Sequence, residues 1–405
     1  MPRLLARMMP LFAATFIDLF SFGLMYPVIV ALFQQPAVRA IYGDGSSSFT
    51  FSLALALFPL GMFFGASLLG DISDAFGRRR TLLICMAGLA ASYALMLLGV
   101  VTLHLGWLLA GRLLSGLMAG TGPIAQAAMI EADAADGRGG ALAKIVLVNC
   151  LALVSGPAVG GLLMHFGFAA PLVFTIGLCA MAFVWLAAAR IETGEAHGRL
   201  RIGPHRAFEV FVHAWRHPVI RGLACAFFLF QFGFAIWYVY VMVRMARVYG
   251  LPPTTLGLFS AVIGAGFVFG STLGYRWLVR AAGSDAVAVA IAIVGCGALI
   301  ALSALPLGGG LQWPLAFAIA VANVPVFVGI LALISAAAAS GEQGWAMGIG
   351  GAMTALSFML SGLLAPVLTV VPLPLLIVAG GVVVIAGALP LRSALRVPPV
   401  PAVAV

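Results

Sequence analysis

The chain has 405 residues, of which 63% are hydrophobic and 8% charged, with a formal net charge of +9. A mean hydropathy of +1.16, with charge far below the roughly 25% of soluble domains, excludes a water-soluble globule. The basic residues sit at the ends of apolar runs, where they act as topology signals, so the positive balance does not point to nucleic acid.

A chain this apolar must satisfy its peptide groups within each spanning segment, and no strand-period alternation of polar and apolar residues is present, so the expectation is all-α. A span needs about 20 residues. On that measure the chain reads as twelve spans, at 11–33, 50–69, 81–101, 106–130, 141–163, 169–189, 219–243, 254–278, 286–305, 311–333, 345–368 and 373–391. The amino-terminal run is too long for a signal peptide and contains Asp18, and no small-residue cleavage site follows it, so it is read as the first span. The loop at 34–48, with its Gly- and Ser-rich run, is expected on the outer side.

The longest polar stretch carries Arg190, Arg199, Arg201, Arg206, Arg216 and Arg221 and divides the spans six and six. The expected organisation is a six-helix bundle at 1–190, a cytoplasmic linker at 191–218, a second six-helix bundle at 219–397 and a disordered tail at 398–405. With the amino terminus inside, the inner loops collect Arg3, Arg7, Arg78, Arg79, Arg80, Arg138, Lys144, Arg276, Arg280, Arg392 and Arg396, leaving Arg39, Arg244 and Arg247 outside. That asymmetry predicts both termini in the cytoplasm. The five cysteines, Cys85, Cys150, Cys179, Cys225 and Cys296, fall in apolar segments without metal-type spacing, which argues against disulfides and zinc.

The charged stretch from Gly70 to Arg80, between the second and third spans, reads as a turn at the inner surface. Gly70 and Gly77 permit a tight turn and close packing, and Asp74 with Arg78 can form a charge-assisted pair, suggesting a latch; arginines that merely fix topology are the alternative. In the fifth span, Gly156, Pro157, Gly160 and Gly161 allow close backbone approach and a kink, a face that either seals the outer half of a cavity or simply packs helices. A weaker echo, Ser361, Gly362, Ala365 and Pro366, stands in the eleventh span. Six plus six helices with faint repeats is a layout of secondary transporters.

Asp18 lies about seven residues into its span, roughly 10 Å deep. An acid at that depth costs on the order of 3 kcal/mol and marks function; proton coupling, substrate contact and a structural hydrogen bond are the readings open to it. Arg112 is the other charge well inside an apolar segment, and holding carbonyls of a neighbouring helix is one reading of it. Gln126, Asn149, Gln231 and Asn323 are intramembrane amides that either meet a substrate or bridge helices. Trp237 and Tyr238, near the outer end of an aromatic seventh span, are expected to face lipid or its interface.

Taken together, Gly70, Asp74, Gly77, Arg78 and Arg79 resemble the loop signature of the major facilitator superfamily. Gly111, Arg112, Gly116 and Gly120 resemble its fourth-helix motif, and Gly156, Pro157, Gly160 and Gly161 resemble the fifth-helix motif of its antiporters. The first span, from Ile17 and Asp18 to Gly23 and Pro27, is similar to that of tetracycline-efflux-type antiporters. The resemblance implies two pseudo-symmetric six-helix bundles and the twelve-helix drug:proton antiporter branch. It further implies that Arg112 biases Asp18 toward its ionised form and aids a proton relay, and that Glu131 joins the gating cluster of Asp74, Arg78 and Arg79. Where the resemblance would put an acid in the third span this chain has Ser92, beside Tyr93, and no histidine appears in the eighth span. Those groups are implicated in tetracycline–metal binding in the relatives, so tetracycline itself is not the expected cargo.

The expected activity is proton-coupled efflux of a small hydrophobic or amphiphilic compound by a monomer in the inner membrane. The proton gradient would supply the energy, with no cofactor or metal and no partner beyond substrate and membrane lipid. Export of an endogenous metabolite, siderophore or lipid, and a receptor on the same fold, are the alternatives. An enzyme would need clustered catalytic groups inside the membrane that the sequence does not present, and no phosphate-binding Gly-x-x-x-x-Gly-Lys-Ser/Thr loop is found.

Overall fold

Hydrocarbon offers peptide groups no water, so each apolar segment closes its own hydrogen bonds as a helix. The computed structural model describes residues 2–43, 45, 48–122, 124–125, 138–189, 208, 212, 214–338 and 343–395, and among them it contains helices and turns without strands. The first six spans are α1 (Pro2–Leu32), α2 (Phe49–Phe76), α3 (Arg78–Thr102), α4 (Leu105–Leu117), α5 (Arg138–Leu163) and α6 (Ala169–Ala188). The next six are α7 (Pro218–Arg247), α8 (Pro253–Phe269), α9 (Asp285–Ser303), α10 (Gly309–Ala337), α11 (Gln343–Leu363) and α12 (Leu373–Ala386). A short helix, Pro36–Tyr42, follows α1, and a π turn at Gly270–Gly274 carries α8 on into Tyr275–Ala282.

Among the described residues, eleven helices are long and apolar enough to cross a membrane, leaving α4 as the short one. The fold is that of an all-α, multi-pass membrane protein, in agreement with the twelve-span reading.

The turn read from Gly70 to Arg80 takes a different form. Residues 70–76 are the last two turns of α2, and the chain reverses at Gly77, whose φ of +88° favours glycine. The Gly77 N–H caps α2 by donating to the Ser73 carbonyl at 3.0 Å. At the other end of α2, the Ser48 hydroxyl accepts the Phe51 N–H at 3.1 Å, a serine N-cap.

The sequence reading also carried the fourth span unbroken through residue 130. In the structure α4 stops at Leu117, and helical pairing resumes at Thr121. Gly116, Gly120 and Gly122 disfavour helix there, and the sequence follows them with Pro123, a residue type that has no N–H to donate to a helical ladder, so a break is the expected result.

The chain divides into two units: Met1–Pro204 with Met242–Gly264 and Gly362–Val367, and His205–Val241 with Ala265–Ser361 and Leu368–Val405. In the first, α1 packs on α5 and α6, α2 on α4, and α3 on α4 and α6. Glycines set the α2–α4 spacing: a Cβ on Gly61 would lie 2.5 Å from the Leu113 carbonyl, and one on Gly116 would strike the Phe58 carbonyl. In the second, α9 packs on α10 and α12. There Gly233 of α7 lies against the Gly380 carbonyl of α12, again with no room for a Cβ.

Candidate functional site

Asp18 is half-buried on α1. Its Oδ2 accepts the Gly122 N–H at 3.2 Å, just beyond the break in α4. Amide groups at the start of a helical segment have no partner in the turn before them and carry a partial positive charge. The break therefore presents an N–H to a carboxylate in the adjacent helix. The Thr121 hydroxyl donates to the Met118 carbonyl at 3.1 Å and also meets the Cys85 thiol.

Arg112 on α4 is 3% exposed. Its Nε donates to the Ala54 carbonyl of α2 at 3.0 Å, and its Cζ lies 4.9 Å above the Phe58 ring. This is the carbonyl-holding arrangement, and among the described residues no hydrogen bond or ion pair joins Arg112 to Asp18. Tyr93 of α3 is within electrostatic reach of both charges. Its hydroxyl donates to the Ser21 carbonyl at 2.8 Å, and the Ser21 hydroxyl donates to the Asp18 carbonyl at 2.9 Å. Beside it, Ser92 is buried and donates to the Leu89 carbonyl of its own helix at 2.7 Å. From the sequence Tyr93 stands out only as the neighbour of Ser92; its bond to α1 depends on helix rotation, which spacing does not encode.

At the Gly77 turn, Arg79 Nε donates to the Leu186 carbonyl at 3.1 Å and its Nη2 to the Ala187 carbonyl at 2.5 Å. These are among the last carbonyls of α6, which lack helical partners, and a basic side chain is one way to satisfy them. Arg79 thus ties the α2–α3 turn to the end of α6. Arg78 is half-exposed. A Cβ at Gly70 would meet open space, so close packing does not require glycine there. The Asp74 side chain and Glu131, the other expected latch members, lie outside the described residues.

The fifth-helix glycines sit between two neighbours. On one side, a Cβ at Gly156 would lie 2.5 Å from the Phe20 carbonyl and one at Gly160 2.7 Å from the Leu24 carbonyl, both on α1. On the other, Gly161 lies against Gly257 of α8, with 2.8 Å between a Cβ there and the Gly257 Cα. A Cβ on Gly257 would in turn lie 2.5 Å from the Pro157 carbonyl, and one on Gly264 2.8 Å from that of Leu153. Gly257 and Gly264 were not singled out from sequence, although their seven-residue spacing puts both on one face of α8. The echo in α11 behaves alike: a Cβ on Gly362 would lie 2.9 Å from the Ala56 nitrogen of α2. All these contacts fall within the first unit.

Of the four amides, Gln126 lies outside the described residues, and Asn149 is half-buried with no partner for its Oδ1. Gln231 donates from Nε2 to the Thr354 hydroxyl at 3.2 Å, while its Oε1 has no partner. The Asn323 Nδ2 is likewise unanswered, in a side chain 5% exposed. Trp237 corrects the sequence expectation. It is fully buried, with its ring centroid 5.5 Å from that of Phe234, and its Nε1 has no acceptor. Tyr238 stacks edge-on to Phe358 at 5.9 Å and Phe234 also meets Phe267 at 6.0 Å. Because α7 is apolar on every face, composition alone could not say which face met protein.

Known proteins share this architecture. The chain is 32% identical over 272 residues to the class C tetracycline resistance protein of Escherichia coli, covering 63% of this chain and 64% of that protein. It is 28% identical over 259 residues to the class G protein of Vibrio anguillarum, a match spanning 62% of each. A class E protein of Escherichia coli matches at 25% identity over 342 residues, 81% of this chain and 80% of that protein. Among solved structures, the nucleoside transporter NupG superposes with a TM-score of 0.77 at 11% identity, covering 96% of this chain and 100% of that one. The human organic anion transporter MFSD10 (TETRAN) gives 0.71 at 18% identity, with coverage of 96% and 100%. A family model, Major Facilitator Superfamily, matches residues 11–362. On that match, and on the twelve-helix architecture it accompanies, the chain belongs to the Major Facilitator Superfamily.

Proposed function

We propose that the protein is a secondary transporter, not an enzyme, that exports a small hydrophobic or amphiphilic compound in exchange for protons. The observation that carries this reading is Asp18, a half-buried carboxyl in a spanning helix, held by one backbone N–H at the break in α4. A single neutral donor leaves the carboxyl free to exist in either protonation state, which a tight ion pair with Arg112 would prevent. Protonation removes the charge that the Gly122 N–H answers, so the bond between α1 and α4 weakens as the proton arrives. That couples a proton to the relative position of two helices.

Arg112 acts on this site at a distance. Fixed to α2 by the Ala54 carbonyl, it supplies a permanent positive charge, and Tyr93 lies within reach of it and of Asp18. The glycine contacts of Gly161 with Gly257 and of Gly362 with α2 lie at the membrane end away from the amino terminus. In this reading they close the outer side, while the Gly77 turn, tied to α6 by Arg79, belongs to the inner gate. Both termini are then cytoplasmic, in the inner membrane, and residues 191–218 link halves at 1–190 and 219–397.

The cargo end of the proposal rests on the second unit. The unanswered groups of Gln231, Trp237 and Asn323 lie on helices that also carry Phe234, Tyr238, Phe267 and Phe358. Each buried polar group without a partner costs about 1–3 kcal/mol, a cost that a ligand with a few polar atoms on an apolar body would offset. The tetracycline resistance relatives support drug-like cargo, while Ser92, bonded to its own helix, offers no carboxylate for a metal–tetracycline chelate.

The test is proton release from purified protein in weakly buffered detergent, titrated with tetracycline and a panel of amphiphilic cations. The reading expects a saturable pH drop with at least one compound that D18N abolishes. Saturable binding without proton release from the native protein would overturn proton coupling.

A further inference from the structure

Two buried amides in the second unit stand across from each other without bonding. Gln231 is on α7 and Asn323 on α10, 4% and 5% exposed, and both positions belong to that unit. The helices touch there through rings, with the Phe227 centroid 5.3 Å from that of Phe327. Each amide is four residues from one of these rings, and so one turn, about 6 Å, away along the same face. Whether those turns lead to the same side depends on helix direction. α8 returns from α7 through the turn at 248–252 and runs antiparallel to it, with Phe234 on Phe267. α8 in turn runs parallel to α10: a Cβ on Gly266 would lie 2.7 Å from the Phe317 carbonyl, and one on Gly270, in the π turn that continues α8, 2.9 Å from that of Val321. α7 and α10 are therefore antiparallel. Gln231 follows Phe227 and Asn323 precedes Phe327, so the two amides share one level between these helices.

What Gln231 offers is fixed by its neighbour. The Thr354 hydroxyl gives its proton to the Gly350 carbonyl at 2.8 Å, so toward Gln231 it can only accept, and it takes the Gln231 Nε2 at 3.2 Å. That leaves the acceptor Oε1 as the unanswered end of Gln231. Among the described residues neither Gln231 Oε1 nor Asn323 Nδ2 has a hydrogen-bond partner, although one accepts and the other donates. The two are complementary yet not joined, which is the arrangement a third group would complete. The chain also says what charge that group carries. No Asp, Glu, Lys, Arg or His occurs in α10 or α11, and α7 has only Arg221, in its first turn, before Val241. A charged group here would find no counter-charge on these helices and would be costly to bury, which favours an uncharged one.

We propose that Gln231 and Asn323 form a binding site for an uncharged group that both donates and accepts a hydrogen bond, a primary or secondary amide or a hydroxyl, carried on an apolar or aromatic body. Its N–H or O–H donates to Gln231 Oε1 and its oxygen accepts from Asn323 Nδ2, while the rings of Phe227 and Phe327 bound the apolar part. Phe327 and Thr354 are half-buried, so the space between the helices is not closed on all sides. This rests on the reading that the second unit receives cargo, and it narrows that reading to a chemical class. Esters, ethers and tertiary amides present an acceptor alone and leave Gln231 Oε1 unanswered.

The experiment titrates the full chain in nanodiscs by calorimetry, with the signal of empty nanodiscs subtracted. The probes are a primary carboxamide, its N,N-dimethyl analogue and the methyl ester, each on phenyl, naphthyl and biphenyl bodies. On the body that binds best, the carboxamide is expected to bind about tenfold more tightly than either of the others. Q231M and N323L keep the side-chain volume and should each erase that preference while the ester still binds, which shows that the variants are folded. Q312M, at a buried amide elsewhere on α10, should keep the preference. Equal affinity of the native protein for carboxamide and dimethylamide would assign the two side chains to a resident water and overturn the proposal, as would a preference that survives in either Q231M or N323L. If no probe binds the native protein, the reading that this unit receives aromatic cargo falls, and the proposal with it. Proton coupling is untouched by each of these results, and D18N should show the native preference.

Discussion

Around Asp18 the helices meet backbone to backbone and the Ser21, Tyr93 and Thr121 hydroxyls find carbonyl partners; around Trp237 they meet ring to ring and leave the Trp237 indole N–H and the Gln231 Oε1 unanswered. In the first region, Gly156 and Gly160 bring α5 onto α1, and Gly122, Tyr93 and Ser21 each hold a bond to or on α1. In the second, Phe234, Trp237, Tyr238 and Phe267 fill the space, while Gln231 Oε1 and Trp237 Nε1 lack partners. Tight glycine contacts have few alternative packings, whereas aromatic rings with spare donors and acceptors can accommodate different solutes. On the proposed function, the contrast separates a region suited to moving a proton against fixed geometry from one suited to receiving variable cargo.

The sharpest way to break that contrast is to add bulk to the first region. Gly156→Leu would place its Cβ 2.5 Å from the Phe20 carbonyl, and backbone cannot yield as a side chain does. It should cost at least about 1–3 kcal/mol, read as a lower midpoint of thermal unfolding in detergent, with Gly156→Ala intermediate. An unchanged midpoint would mean that α5 and α1 are not so closely apposed. A smaller effect is expected at the inner turn. Arg79→Gln loses a charged donor to the last carbonyls of α6, and since the side chain is only half-buried about 1 kcal/mol is at stake. Amide exchange should quicken at residues 183–188 while α5 keeps its protection. The smallest effect on stability belongs to the second region. Trp237→Phe removes an indole N–H that has no acceptor, which offsets part of the cost of the smaller ring, so the unfolding free energy should change by only about 1 kcal/mol. Apparent affinity for cargo should change, and affinity unaltered across a panel of compounds would detach Trp237 from the cargo site.

The same contrast explains what could be read from the sequence. The spans were visible because long apolar runs have one stable solution in a bilayer, and Gly156, Pro157, Gly160 and Gly161 were visible because small residues at helical spacing permit few roles. Asp18 and Arg112 announced themselves as charges in apolar surroundings. The partners were not visible. That Arg79 reaches Leu186 and Ala187, that Tyr93 bonds Ser21, and that Arg112 holds the Ala54 carbonyl depend on how helices far apart in the chain rotate against each other. The break in α4 was written in Gly120, Gly122 and Pro123, yet apolarity on both sides made one continuous helix the simpler reading. Trp237 was misplaced for a related reason: in a helix apolar all round, lipid-facing and protein-facing positions have the same composition.

On the proposed function, Asp18 carries the coupling proton while the cargo site lies elsewhere. That assignment is tested most directly by comparing native protein and Asp18→Asn in proteoliposomes, following exchange of a labelled substrate at equal pH and its accumulation against an imposed pH gradient. The variant should retain exchange and lose gradient-driven accumulation by at least about 100-fold, a difference of roughly 3 kcal/mol in driving free energy. Accumulation that still follows the pH gradient in Asp18→Asn would contradict that assignment.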